Sequence, residues 1–113
     1  MIRSAAISAM LFVFQTFGAL TFVSGPAMTY NASGQKWDIA FEVSEYADVE
    51  VSIVRLSDSS IVRRFAAGKL GGNPPSPFTA NSLSQAIAWD GTDDLGNPVS
   101  DTTGLSVRVR AGL

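Results

Sequence analysis

The chain contains no cysteine and no histidine. Without either residue it has no disulfide, no thiolate or imidazole ligand for zinc, haem or an iron–sulfur cluster, and no Cys- or His-based catalysis. Basic residues are scarce as well: 8 Lys+Arg stand against 10 Asp+Glu, for a net charge of −2. A nucleic-acid partner would require a basic stripe to neutralise phosphates, and this balance argues against one. Charged residues make up only 16% of the chain. Beyond residue 28 no segment sustains an apolar period of 3.6 residues, so a helical body is not expected, and no internal repeat is visible.

What is present divides into an oily start and an ordinary globular remainder. Arg3 and the α-amino group give a cationic beginning, and from Ala5 to Val23 there is no charged residue. Leu11, Phe12, Val13, Phe14, Phe17, Leu20, Phe22 and Val23 make this run strongly apolar. A cationic n-region followed by an apolar helix is the pattern of a secretion signal. Cleavage after Ala27 puts small residues, Ala27 and Gly25, one and three places before the cut. Residues 1–27 are therefore expected to be a signal peptide formed by a hydrophobic helix. The alternative is a retained membrane anchor over residues 5–23, since 19 uncharged residues at about 1.5 Å each approach the roughly 30 Å of a bilayer core. The chain would otherwise have no membrane contact, and the protein is expected to be secreted, periplasmic or displayed on the cell surface.

Residues 28–35 read as a linker, and residues 36–113 as one domain. Trp37, Ile39, Phe41 and Val43 alternate with Lys36, Asp38 and Glu42, the period of two of a half-buried strand. Val49, Val51 and Ile53 repeat the pattern, and Val54-Arg55-Leu56 shifts its phase as a bulge would. The polar cluster Ser57-Asp58-Ser59-Ser60 suits a hairpin turn into a returning strand, Ile61 to Phe65. Residues 68–82 carry too many Gly and Pro for a regular element, with Phe78 as the hydrophobic anchor of the loop. Gln85 to Trp89 reads as a short strand, and Leu105, Val107 and Val109 mark a last one. Five such strands imply a small antiparallel all-β sandwich whose core depends on Trp37, Phe41, Phe65 and Trp89.

The most specific stretch runs from Ile87 to Val99: a strand ending in Trp89, then Asp90-Gly91-Thr92-Asp93-Asp94-Leu95-Gly96-Asn97-Pro98. Asp side chains bond nearby backbone N–H groups, and Gly91 and Gly96 accept positive φ. Together with the alternating strands, the hairpin and Gly104 before the last strand, this stretch resembles the immunoglobulin-like module of the bacterial flagellar hook-capping protein. That module recurs in many secreted bacterial proteins. The resemblance covers residues 36 to 113 and rests on Trp89, Asp90, Gly91, Asp93 and Gly96 as a structural motif. It departs from the family where Leu105-Ser106 follows Gly104, a place that often carries Gly-x-Tyr, and in its longer loop over residues 68–82. The resemblance implies an immunoglobulin-like β-sandwich.

Chemistry-bearing residues are few. Asp90, Asp93 and Asp94, with Asp101 outside the run, are the candidates for Ca²⁺, which prefers clustered carboxylate and carbonyl oxygens. The run lacks the spacing of an EF-hand loop, and the same side chains suit a structural turn. Glu42 and Glu50 fall on polar strand positions, so no catalytic pair and no enzyme activity is expected. Arg63, Arg64, Arg108 and Arg110 form either a basic patch or solvated, edge-protecting strand faces. The expected function is a non-enzymatic exported module, structural or interacting with a protein partner of the envelope or an extracellular assembly, with no cofactor. The alternative is a small carbohydrate-binding module using an exposed tryptophan beside a calcium-dependent acidic loop.

Overall fold

The computed structural model describes residues 10–14 and 20–112. Seven strands appear among them: β1 (Met10–Phe14), β2 (Phe22–Asn31), β3 (Lys36–Val43), β4 (Asp48–Arg55), β5 (Ile61–Lys69), β6 (Ser84–Trp89) and β7 (Leu105–Ala111). They form a four-stranded sheet in the order β1-β7-β4-β5 and a three-stranded sheet in the order β2-β3-β6. Every pairing is antiparallel except β1 with β7, which is parallel. The all-β sandwich expected from the period of two is the observed architecture.

Alternation sets the core. In β3 the odd positions Trp37, Ile39, Phe41 and Val43 are buried, and in β6 Gln85, Ile87 and Trp89 are. Their register brings Trp37 opposite Trp89 and Ile39 opposite Ile87. The four-stranded sheet supplies Val49, Val51 and Ile53 from β4 and Leu105, Val107, Val109 and Ala111 from β7. These branched residues suit a pleated surface and pack well against cross-strand neighbours. The phase change near Val54 corresponds to register shifts in the β4–β5 pair, where β5 carries the extra residues Phe65 and Val62.

Two readings of the sequence are corrected, and a third, the signal helix over residues 1–27, lies about half outside the described residues; within them, Met10–Phe14 is a strand and residues 22–27 open β2. Residues 28–31, expected to begin a linker, are the second half of β2, because Met28 is fully buried in the core and the Tyr30 ring stands edge-on to Trp37 at 5.1 Å. Strand β5 runs on to Lys69, since Ala66 and Gly68 pair with Val51 and Val49. The small residues before Ala27 also have a packing reason. A Cβ on Gly25 (φ +71°) would lie 2.7 Å from the carbonyl oxygen of Ala40 on β3. Only glycine permits that approach.

The connection over residues 70–83 crosses between the sheets and is pinned from both ends. Phe78 is buried, as its anchor role requires. The Gln85 side chain accepts from the Thr79 N–H at 2.7 Å and donates to the carbonyls of Thr79 and Ser82 at 3.0 and 2.9 Å. A buried amide with all these partners fixes the loop that the Gly and Pro residues would otherwise leave loose.

Candidate functional site

The turn after β6 is a unit built from its own side chains. Trp89 is 1% exposed, and its indole N–H donates to the Thr92 carbonyl at 2.8 Å. The buried ring thereby closes the turn that follows it. Asp90 Oδ1 accepts from the Thr92 N–H at 3.1 Å and the Thr92 hydroxyl at 2.6 Å. Asp93 Oδ1 accepts from the N–H groups of Leu95 and Asn97 at 3.0 and 2.9 Å. Gly91 and Gly96 take φ of +84° and +88°, as the turn requires.

This turn is docked onto β5 by the arginines that sequence reasoning placed on a strand face. Arg63 Nη1 donates to the Thr92 hydroxyl at 2.7 Å and the Thr92 carbonyl at 3.2 Å, and lies 3.7 Å from Asp90 Oδ1. Its guanidinium also stands 5.5 Å over the Phe65 ring. Asp94 accepts from the Arg64 backbone N–H at 2.8 Å and from its guanidinium at 3.2 Å, while the Asp94 N–H donates to Val62 O at 3.0 Å. The Asp-rich run is thus a strap from β6 over β5. Sequence reasoning missed this because its partner lies some 30 positions away.

Each acidic candidate can now be placed. Asp90, Asp93 and Asp94 have separate duties, and Asp101 accepts from the Thr103 N–H and hydroxyl at 3.0 and 2.6 Å. Among the described residues no group of three or more acidic side chains is gathered as metal ligands would be. Glu42 and Glu50 stand in different sheets. A shallow open depression takes in Asp93, Asp101 and Arg55, but both carboxylates in it face back onto their own loops. The same Asx–x–Ser/Thr arrangement recurs at Asn31, Asp58, Asp90 and Asp101, each bonding the N–H two residues on. That repeated spacing was the available signal for where the strands end. It holds Asp58, Asp90 and Asp101 below the usual carboxylate range, the last two chiefly through the Thr hydroxyl and the first through the Ser60 N–H.

The two tryptophans are core residues, with Trp37 at 7% exposure and the ring centroids 6.4 Å apart. Three of the four arginines gather on one side of the four-stranded sheet: Arg64 and Arg108 lie in one cross-strand row through Ser52, and Arg110 is close enough to Arg108 to repel it, while Arg63 turns to Thr92 and Asp90. Arg110 stands 3.6 Å from Glu50. Arg108 is not solvated, being only 9% exposed. Its Nε and the hydroxyl of Ser52 are both buried without a hydrogen-bond partner. Burial, then the neighbouring Arg110, and to a lesser degree Arg64, lower the affinity of this guanidinium for its proton, with Glu50 opposing.

Among the described residues no helix is long and apolar enough to cross a membrane. No protein-family model matches the chain, and neither the curated proteins nor the solved structures contain a match.

Proposed function

We propose that the chain is an exported, non-enzymatic immunoglobulin-like module of the hook-capping type, a structural and interaction unit of the cell surface or periplasm. The observation that carries this reading is that the residues most suggestive of chemistry are spent on shape. Trp89 lies in the core and locks the turn, Asp90 and Asp93 cap backbone N–H groups, and Asp94 straps the turn to β5. A sugar-stacking platform would need an exposed indole, and both indoles are buried. The cationic, then apolar, leader supports export. Association would then use backbone pairing at a sheet edge together with surface complementarity.

The test is fractionation of cells producing the full chain with a C-terminal epitope. The protein is expected in the envelope or the medium, and Arg3→Glu should slow its arrival there by removing the cationic side chain of the leader. A chain confined to the cytosol overturns the export reading. Retention on immobilised polysaccharide in a calcium-dependent manner would overturn the interaction-module reading in favour of a sugar-binding one.

A further inference from the structure

The sheet edges are not alike. β5 presents Arg63, Arg64 and Lys69 and two register shifts against β4. β2 contains Pro26, which has no N–H to offer, and register shifts on both sides of Ser24. β6 is only six residues long. Charge, proline, irregularity and brevity are how proteins keep an edge from pairing with other chains. The remaining edge is Met10–Phe14, which has no charge, no proline and no irregularity, with five consecutive register pairs from Met10↔Val107 to Phe14↔Ala111. β7 beneath it has the burial of an interior strand, from Leu105 through Val109 on both faces. Stripped of its neighbour, β7 would show a row of unpaired backbone groups along an apolar edge.

The cover itself is anomalous. It is the one parallel pairing among the described strands, and it joins residues belonging to the leader to the last strand of the domain. It also leaves a charge unanswered. Around Arg108 stand Arg64, Arg110 and Glu50. Glu50 pairs with Arg110 and Asp94 with Arg64, which leaves Arg108 without an ion-paired carboxylate among the described residues. Its Nε and Ser52 Oγ, register partners across β4 and β7, both lack a hydrogen-bond partner. The register partner of Arg108 on the other side is Leu11. The chain has no acid before Asp38, so its own leader brings no carboxylate to this row.

We propose that the β7 edge is a strand-acceptor site. In the exported, processed protein its occupant is an apolar extended segment of a partner protein, running parallel to β7 in place of Met10–Phe14 and bearing an Asp or Glu at the position of Leu11. Backbone pairing with residues 107–111 supplies affinity, and the carboxylate meets Arg108 and Ser52 to supply selectivity. The proposal rests on the export reading for the removal of Met10–Phe14; cleavage after Ala27 would also take residues 22–27 of β2, which the experiment below leaves in place so that the β7 edge alone is opened.

The test uses the full chain with a protease site inserted between Phe17 and Gly18. After cutting, the chain is unfolded and refolded with an excess of fluorescent peptide. The peptides are the segment around Met10–Phe14 with a solubilising tail, the same with Leu11→Glu, and the same with Phe12→Pro. Anisotropy is expected to report uptake of the first peptide, about tenfold tighter uptake of the Glu peptide, as befits a charge-assisted hydrogen bond, and no uptake of the Pro peptide. In an Arg108→Met chain the advantage of the Glu peptide should vanish while the first peptide still binds. Equal or weaker binding of the Glu peptide, or an advantage that survives Arg108→Met, overturns the proposal. So does a cut chain that refuses every peptide, or one that answers its own edge by forming dimers on gel filtration. Failure of export alone is read separately by the fractionation experiment, because peptide exchange does not depend on where the cell sends the chain.

Discussion

The two sheets of this sandwich solve burial differently. In the three-stranded sheet, β3 and β6 alternate cleanly, with Trp37, Phe41 and Trp89 turned inward and Lys36, Asp38, Ala40, Ala86 and Ala88 exposed. In the four-stranded sheet the core side is aliphatic, Val49, Val51, Ile53, Val107 and Val109, and the other side is closed as well: Ser52, Val54, Ser106 and Arg108 are all buried. The first sheet concentrates stability in a few large rings. The second spreads it over many small contacts and encloses polar groups that gain little. Truncating one residue should therefore be severe in the first sheet, and removing a polar one harmless or helpful in the second.

The sharpest break of that comparison is Trp89→Ala. It removes the largest fully buried side chain, its contact with Trp37 and the hydrogen bond that closes the turn at Thr92. A loss of about 3–5 kcal/mol is expected, set against the roughly 5–15 kcal/mol that domains of this kind possess. Urea denaturation of the variant should show a midpoint near zero or no cooperative transition. A midpoint close to that of the parent would mean that the aromatic pair does not anchor the sheet.

Next in size is Gly91→Val in the turn that Trp89 closes. Gly91 has φ +84°, and nothing lies within 4 Å of where a Cβ would stand. The cost is then conformational, about 1–2 kcal/mol for a β-branched residue held at positive φ. Gly91→Asn, which tolerates this region better, should recover part of the loss. Equal melting temperatures for the Val and Asn variants would show that steric crowding, and not backbone conformation, sets the requirement.

The same contrast explains what could be read from the sequence. β3, β6 and the core side of β4 and β7 were legible because each places one apolar residue in every two against a single core. The Asp90–Gly96 turn was legible because its residues bond to neighbours a few positions away. β1 and β2 were not: an uncharged run with aromatics throughout has no period to reveal a strand, and Gly25-Pro26 interrupts β2 where it bulges. The docking of Arg63 and Arg64 onto Thr92 and Asp94 was also hidden, since it depends on how two distant segments meet. Burial of Arg108 was hidden for a related reason: alternation marked it as outward, and nothing local shows that β7 is closed on both faces from Leu105 through Val109.

Arg108→Met sharpens the comparison from the other side. The guanidinium is buried, its Nε has no partner, and it faces Arg64 and Arg110 with Glu50 already engaged by Arg110. Replacing it with an unbranched apolar side chain removes an uncompensated desolvation cost and should leave stability unchanged or raise it by about 1 kcal/mol. Measured destabilisation of more than that amount would mean the charge is answered within the fold, and the two sheets would differ less than their burial suggests.

A smaller effect should appear in acid. Asp58, Asp90 and Asp101 titrate below the ordinary carboxylate value of 3.8. Lowered folded values mean stability that is fully present above the unfolded value and lost as pH falls through the folded one. The melting temperature should hold steady from neutrality to about pH 5 and decline below about pH 4. Asp90→Asn keeps an oxygen for Thr92 but cannot titrate, so it should flatten part of that decline. A decline unchanged in this variant would assign the acid sensitivity to other groups.

The least change is expected from Asp93→Asn. Both hydrogen bonds of Asp93 use Oδ1, at 3.0 Å to the Leu95 N–H and 2.9 Å to the Asn97 N–H. An amide oxygen in the same place accepts both, losing only the charge assistance, and the group is near the surface where such differences are small. The melting temperature should therefore move by about a degree or less, consistent with a few tenths of a kcal/mol in a domain of this size. It should also be the same in EDTA and in millimolar Ca²⁺, for parent and variant alike. A ligand that binds only the folded state raises stability by mass action, so a calcium site at this loop would announce itself as a rise in the parent that Asp93→Asn abolishes. That result would convert the turn from a strap between β6 and β5 into a binding loop, with the exposed Leu95 at its tip as the first residue to test for contact with a ligand.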